Sequence, residues 1–233
     1  FLPYDADSLA WHAQVIAAAP ASDLPIVATR YTPELGGSEF LIYTPDRDDL
    51  FVIMTAGFDR LNLSIVDARI HTLRNGFALD TFVVLDHSGK PVSDPRQLAQ
   101  WQKAMRDQLL NPRPGRDLQT SSLSRQLKHF PIETRAAFSP SPKGQLTTME
   151  VTAQDRPGLL YQIALALKQC QVNLMAAKVA TYGERAEDIF FINTREKQLL
   201  TDPEQLKCLE KEIVRRLGPA SQNAESGMRS AEF

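Results

Sequence analysis

The chain has 233 residues, 43% of them apolar and 23% charged, with a formal net charge of -2. These values describe an ordinary folded protein of one large or two small domains, and the near-neutral balance argues against a nucleic-acid or anionic-membrane binder. No apolar run approaches the roughly 20 residues needed to span a bilayer, and the two cysteines, Cys170 and Cys208, fit a reducing, cytoplasmic compartment and offer no disulfide framework.

The chain opens on Phe1 rather than Met, which reads as a piece of a longer protein. Residues 1–37 include the helical-looking "DADSLAWHAQVIAA" and are expected to be the end of a preceding domain. Then "EFLIYT" (39–44) is a β-rich run. Pro45-Asp46 breaks it, and Leu50, Phe51, Met54, Phe58 and Leu61 recur at helical spacing. Asn62–Leu73 and Phe77–Asp86 are rich in β-branched and aromatic residues, with Asn75-Gly76 between them as a hairpin signal. Asp94-Pro95 opens a helix predicted to run to Leu110. The segment 112–138 reads as a linker ending in "FPIETRAAF" (130–138), taken as a strand closing the first unit over 38–138. Arg113, Arg116, Arg125, Lys128 and His129 make this linker basic. A solvated surface explains that charge, and a patch for a protein partner is the alternative.

The same order recurs over 144–217. "QLTTMEVTA" (145–153) reads as a strand, Leu159, Leu160, Ile163, Ala164 and Leu167 as a helix face, and Val172–Tyr182 with Glu187–Asn193 as a hairpin. Asp202-Pro203 opens a last helix to Leu217. Ala68-Arg69-Ile70 returns as Ala177-Lys178-Val179, 109 positions on, and Asp80-Thr81-Phe82 as Asp188-Ile189-Phe190, 108 positions on. The hairpin turn absorbs the difference of one. The pattern predicts two α+β sandwiches in tandem, the second without a strand after its last helix. Residues 218–233 are small, polar and aperiodic and read as a disordered tail.

The order strand–helix–strand–strand–helix–strand, with "DRPGLL" (155–160) at the first turn of the second copy, resembles the ACT domain, a ferredoxin-like (βαββαβ) ligand-sensing fold. The ordered set "FLPYDADSLAWHA", "NLSIVDARIHTLRNGFALDTFVVLD", "RQLKHFPIET", "AQDRPGLL" and "GERAEDIFFI" is similar to the C-terminal region of the bifunctional uridylyltransferase/uridylyl-removing enzymes. The resemblance implies a cytoplasmic glutamine-sensing module, with the PII nitrogen-signalling protein as a partner and magnesium-dependent catalytic domains upstream. It also implies ACT–ACT pairing within or between chains. The catalytic motifs themselves are missing. "GGSEF" (36–40) has Gly-Ser without a following Asp-x-Asp, and reads as a linker turn. "LDHS" (85–88) reverses the expected His-Asp order at a hairpin end, and His12, His71 and His129 lack metal-ligand spacing. No catalytic residue, metal or cofactor is expected here.

The candidate ligand socket is Asp155, Arg156, Pro157, Gly158, Leu159 and Asn173. A helix N-terminus offers unpaired N–H groups and a favourable dipole to a carboxylate. Gly158 admits close approach, Pro157 pre-sets the first turn, Asp155 caps the helix or accepts an ammonium, and Asn173 both donates and accepts. Turn and cap chemistry alone explains the same residues. In the first copy, Asp46, Asp48, Asp49 and Ser64 form a weaker socket, because Asp48-Asp49 stands where Pro157-Gly158 does and repels a carboxylate. Two other readings stand beside glutamine sensing: an interaction module with no ligand, and the regulatory end of a different amino-acid-controlled enzyme.

Overall fold

The computed structural model describes residues 6–115, 132–141, 146–182 and 184–218. The chain divides into two compact units, Phe1–Arg116 and Asp117–Phe233. The tail predicted over 218–233 falls, from residue 219 on, outside the described residues, as do Arg116, Arg125, Lys128 and His129 of the basic linker.

The first unit contains α1 (Ala6–Ala18), β1 (Ile26–Thr32), β2 (Gly37–Pro45), α2 (Leu50–Arg60), β3 (Ser64–Arg69), β4 (Phe77–Leu85) and α3 (Pro95–Leu110). Its sheet is antiparallel in the order β1-β2-β4-β3. Alternation along β2 and β4 turns Phe40 and Phe82 toward the helices. Phe40 meets Phe58 of α2 edge-on at 5.1 Å and stacks on Trp101 of α3 at 6.3 Å, and Phe58 packs on Phe82 at 4.7 Å. The opposite face carries Glu39, which meets His12 of α1 at 3.5 Å and accepts from Arg30 Nε at 2.6 Å. The Arg30 guanidinium lies 4.3 Å from the Trp11 ring, so α1 covers this face.

The second unit contains β5 (Arg135–Pro140), β6 (Thr147–Gln154), α4 (Leu159–Gln169), β7 (Val172–Lys178), the short β8 (Thr181–Tyr182), β9 (Arg185–Thr194) and α5 (Pro203–Leu217). The sheet order is β5-β6-β9-β7, with β8 on β9. Met149, Ile163, Phe190, Ile192 and Leu209 are fully buried between sheet and helices.

Both units are α+β sandwiches with ferredoxin-like strand order, as expected, but the fourth strand comes from the other direction. In each unit it precedes the strand–helix–strand–strand–helix core, as β1 or β5, instead of following the last helix. "FPIETRAAF" does not close the first unit, because Arg135–Pro140 pairs with Thr147–Thr152 of β6. The first unit's edge is β1, running from Ile26↔Tyr43 to Thr32↔Gly37. That strand lies in the stretch 1–37 expected to end a preceding domain, so β1 and the covering α1 of that stretch are part of the first unit. An antiparallel edge strand can be supplied from either end of the chain, and only a short connection decides between them.

Local chemistry otherwise acts as the sequence implies. Asp94 and Asp202 cap α3 and α5, accepting from the amides of Arg96 and Glu204, and Pro95 and Pro203 occupy the first helical positions. Gly76 takes a left-handed φ of 79° in the Asn75-Gly76 hairpin. "GGSEF" is a turn only at Gly36, whereas Gly37 to Phe40 belong to β2. "LDHS" is a hairpin end, where the Asp86 carboxylate accepts the amides of Ser88 and Lys90.

The cysteines depart from expectation. Cys170, at the end of α4, and Cys208 of α5 form a disulfide, with Cα atoms 5.9 Å apart. Two cysteines 38 residues apart carry no spacing signal, and only the packing of α4 on α5 brings them together.

Candidate functional site

In the second unit, β6 delivers the chain into the turn Asp155–Gly158. Gly158 is the N-cap of α4 at φ 76°, ψ 7°, and no side chain caps the helix. Asp155 is therefore not a cap. Its amide donates to the Glu184 carbonyl at 2.8 Å, which holds the turn against the tip of the β7–β9 hairpin. Desolvation by burial raises its carboxyl above the ordinary range, partly opposed by the Arg156 amide. No side chain caps the helix, and the Leu159 amide turns back to the Arg156 carbonyl at 3.1 Å, which leaves the other first-turn N–H groups as the ones suited to a carboxylate.

Arg156 reaches away from this mouth. Its NH2 donates to the Arg216 carbonyl at the end of α5 at 2.6 Å, capping that helix with a cation where the dipole favours one. Its Nε is buried with no hydrogen-bond partner, and burial lowers the guanidinium's pKa. The first unit repeats the contact, with Arg47 donating to the Leu109 carbonyl at the end of α3 at 2.5 Å. Arg47 was not among the residues singled out from the sequence.

The structure brings Asp155, Arg156, Pro157, Gly158 and Leu159 together but not Asn173. The socket lies past the Gln154↔Arg185 end of the sheet, whereas Asn173 pairs with Asn193 beyond the Thr147↔Ile192 end. Seven steps of about 3.3 Å from Thr147 to Gln154 put these ends roughly 23 Å apart. Asn173 Nδ2 donates to the Thr194 carbonyl at 2.9 Å. Ser64, paired with Leu85, likewise lies at the opposite end of its sheet from Asp46. The physical reason is the connection itself. Helix and following strand are antiparallel, so a strand-start residue sits by the helix C-terminus.

The first unit's turn is the more open one. Asp46, Arg47 and Asp48 are exposed, and Asp49 takes Gly158's place as the N-cap of α2 at φ 65°, ψ 9°, with no side-chain cap bond. Thr72 Oγ1 donates to Asp46 at 3.3 Å, and the Asp46 amide donates to the Gly76 carbonyl.

Two residues read from the sequence only as repeat landmarks turn out to lie at these sockets. Asp80 and Asp188 are each 1% exposed. Asp80 Oδ1 accepts from the His71 amide at 3.0 Å, Asp188 Oδ1 from the Ala180 amide at 3.2 Å, and in both Oδ2 has no partner. Burial pushes Asp80 up to about 8 and Asp188 up to about 7. The amide bonds oppose the rise, and the nearby charges of Asp46 and Asp155 add to it. The signal was available, since each aspartate sits at an inward position between apolar inward neighbours on its strand.

Among the described residues no group of three or more His, Cys, Asp or Glu could hold a metal ion, and no helix is long and apolar enough to cross a membrane. Fold and sockets together define a chain of two ferredoxin-like α+β sandwiches, each with a helix N-terminus that no side chain caps and a buried carboxyl on the adjoining strand. The chain as a whole is similar to bifunctional uridylyltransferase/uridylyl-removing enzymes. It is 38% identical over 230 residues to that of Ectopseudomonas mendocina, covering 97% of this chain and 26% of that protein. It is 37% identical over 221 residues to that of Pseudomonas putida strain W619, covering 93% and 25%. The chain thus spans about a quarter of the length of the curated relatives it matches. No family model matches it. Among solved structures, an aspartate kinase from Synechocystis aligns at a TM-score of 0.42 and 15% identity, over 77% of this chain and 26% of that one.

Proposed function

We propose that this chain is the amino-acid-sensing regulatory part of a bifunctional uridylyltransferase/uridylyl-removing enzyme, that glutamine is the amino acid it senses, and that the whole enzyme acts on the PII signalling protein. The observation that carries the reading is the N-terminus of α4. It is uncapped, it has Gly158 in a left-handed conformation, and it is flanked by half-buried Asp155 and by an unpartnered buried Arg156 Nε. A ligand carboxylate fits the free helix N–H groups, and a ligand ammonium fits the acidic side. The whole-length similarity to the uridylyltransferase/uridylyl-removing enzymes supports the parent activity. The reading keeps ACT–ACT pairing as the mode of assembly, although a missing fourth strand no longer argues for it, because β5 supplies that strand.

Calorimetric titration of the chain with a panel of amino acids tests the proposal. Heat with glutamine alone supports it. Heat with a different amino acid points to the regulatory end of another enzyme, and no heat with any points to an interaction module.

A further inference from the structure

We propose that Asp188, together with Asp155, is the part of the second unit's socket that recognises a ligand's ammonium group, so that the site selects α-amino acids over the same carbon chain without the amine. This rests on the amino-acid reading above and adds to it the residue that reads the amine. Val151 and Ala153 of β6 face α4, and Asp155 continues that alternation at the mouth of the turn. Asp188 lies opposite Val151, and its side chain, like those of Phe190 and Ile192 two and four residues on, belongs to the buried face of β9. Both carboxyls therefore belong to the α4 side of the sheet, one at the mouth and one beneath it.

A structural role accounts for half of Asp188. Its Oδ1 holds the Ala180 amide where β7 bends toward the hairpin tip. An asparagine would do this without a charge. The other oxygen is buried with no hydrogen-bond partner, which is costly for a carboxyl unless something donates to it. The first unit repeats the buried aspartate, although its mouth is more open. Asp80 lies opposite Ile42, holds the His71 amide and leaves Oδ2 unpartnered, with Asp46 at the mouth. A donor that arrives with the ligand satisfies the open oxygen. An ammonium does so best, because it brings three N–H groups and a charge opposite to the pair. Its carboxylate then falls toward the uncapped N-terminus of α4, as an α-amino acid requires. Asp155 raises the pKa of Asp188, and a cation between the two relieves that repulsion.

The test uses the full chain and two probes, L-glutamine and glutaramate, which has hydrogen in place of the α-ammonium. The chain is expected to prefer glutamine. Asp188→Asn keeps the shape and the Ala180 bond. It should weaken glutamine by about tenfold to a hundredfold, as expected for one charge-assisted hydrogen bond, and leave glutaramate unchanged. A structural lesion would weaken both probes alike. Asp155→Asn, at the half-buried mouth, should reduce the same preference and decides the matter if Asp188→Asn does not fold. A folded Asp188→Asn chain that keeps its preference overturns the inference alone, as does an unaltered Asp155→Asn when the first variant fails to fold. A wild-type chain that binds neither probe overturns the amino-acid reading along with it.

Discussion

Gly158 and Asp49 are one backbone position seen twice, with φ of 76° and 65° at the cap of the first helix of each unit. Asp tolerates the left-handed region better than most residues, so Gly158→Asp is expected to fold. It would set a carboxylate at the seat of the ligand's own. Two unit charges about 4 Å apart at an effective dielectric near 20 repel by roughly 4 kcal/mol, which is about a thousandfold in affinity. Glutamine titration, with circular dichroism as the fold control, measures this, and unchanged affinity would place the ligand elsewhere. Asn173→Ala is expected to leave that affinity alone and to cost about 1 kcal/mol of stability, because its amide is bonded to the Thr194 carbonyl far from the socket. Asp80 gives a separate prediction in pH. Its carboxyl is raised from 3.8 to about 8 in the folded state, so folding binds its proton. That contribution is fully present below 3.8 and is lost as pH rises through 8, at no more than about 1.4 kcal/mol per pH unit. Asp80→Asn should flatten this slope and raise the melting temperature of the first unit most near pH 8. Parallel pH profiles of wild type and variant would disprove it.

At the scale of elements, the disulfide ties the C-terminal end of α4 to α5 while Arg156 ties the turn before α4 to the far end of α5. The helix pair is thus held at both ends. Closing a loop with a sequence separation of 38 removes chain entropy from the unfolded state worth about 3 to 4 kcal/mol. Cys208→Ala should lower the stability of the second unit by up to that amount in oxidising buffer. A thiol reductant should lower wild type to the same level and leave the variant unmoved. An identical midpoint in all four conditions would show that the bond contributes nothing. Helix ends were legible in the sequence because their causes are local: Asp94-Pro95 and Asp202-Pro203 start α3 and α5 where expected. The disulfide, the Arg156 and Arg47 caps and the origin of β1 and β5 were not legible, since each depends on which distant segment arrives alongside. The two buried aspartates fall between these cases. Strand period shows that they point inward, but only packing shows that one oxygen of each stays unpartnered.

At the scale of the whole molecule, each unit is complete only with the strand, β1 or β5, that precedes its strand–helix–strand–strand–helix core. Removing residues 1–36 takes away α1 and β1, exposes the Glu39 face and unzips the ladder from Ile26 to Thr32. The first unit should then lose its cooperative melting transition while the second keeps its own. A shortened chain that melts like the full one would contradict this. The reading also separates sensing from chemistry. Gly37 and Ser38 belong to a strand, Asp86 is occupied by turn amides, and among the described residues no group of three or more His, Cys, Asp or Glu could hold a metal ion. The chain alone, given UTP, PII and magnesium or manganese, is therefore expected neither to attach nor to remove uridylyl groups. Joined to the remaining three quarters of a relative's length, it should make the balance of the two activities respond to glutamine, and Gly158→Asp should abolish that response while leaving both activities measurable. Turnover by the chain alone would break the separation. A glutamine response that survives Gly158→Asp in the joined protein would move the sensing site away from α4.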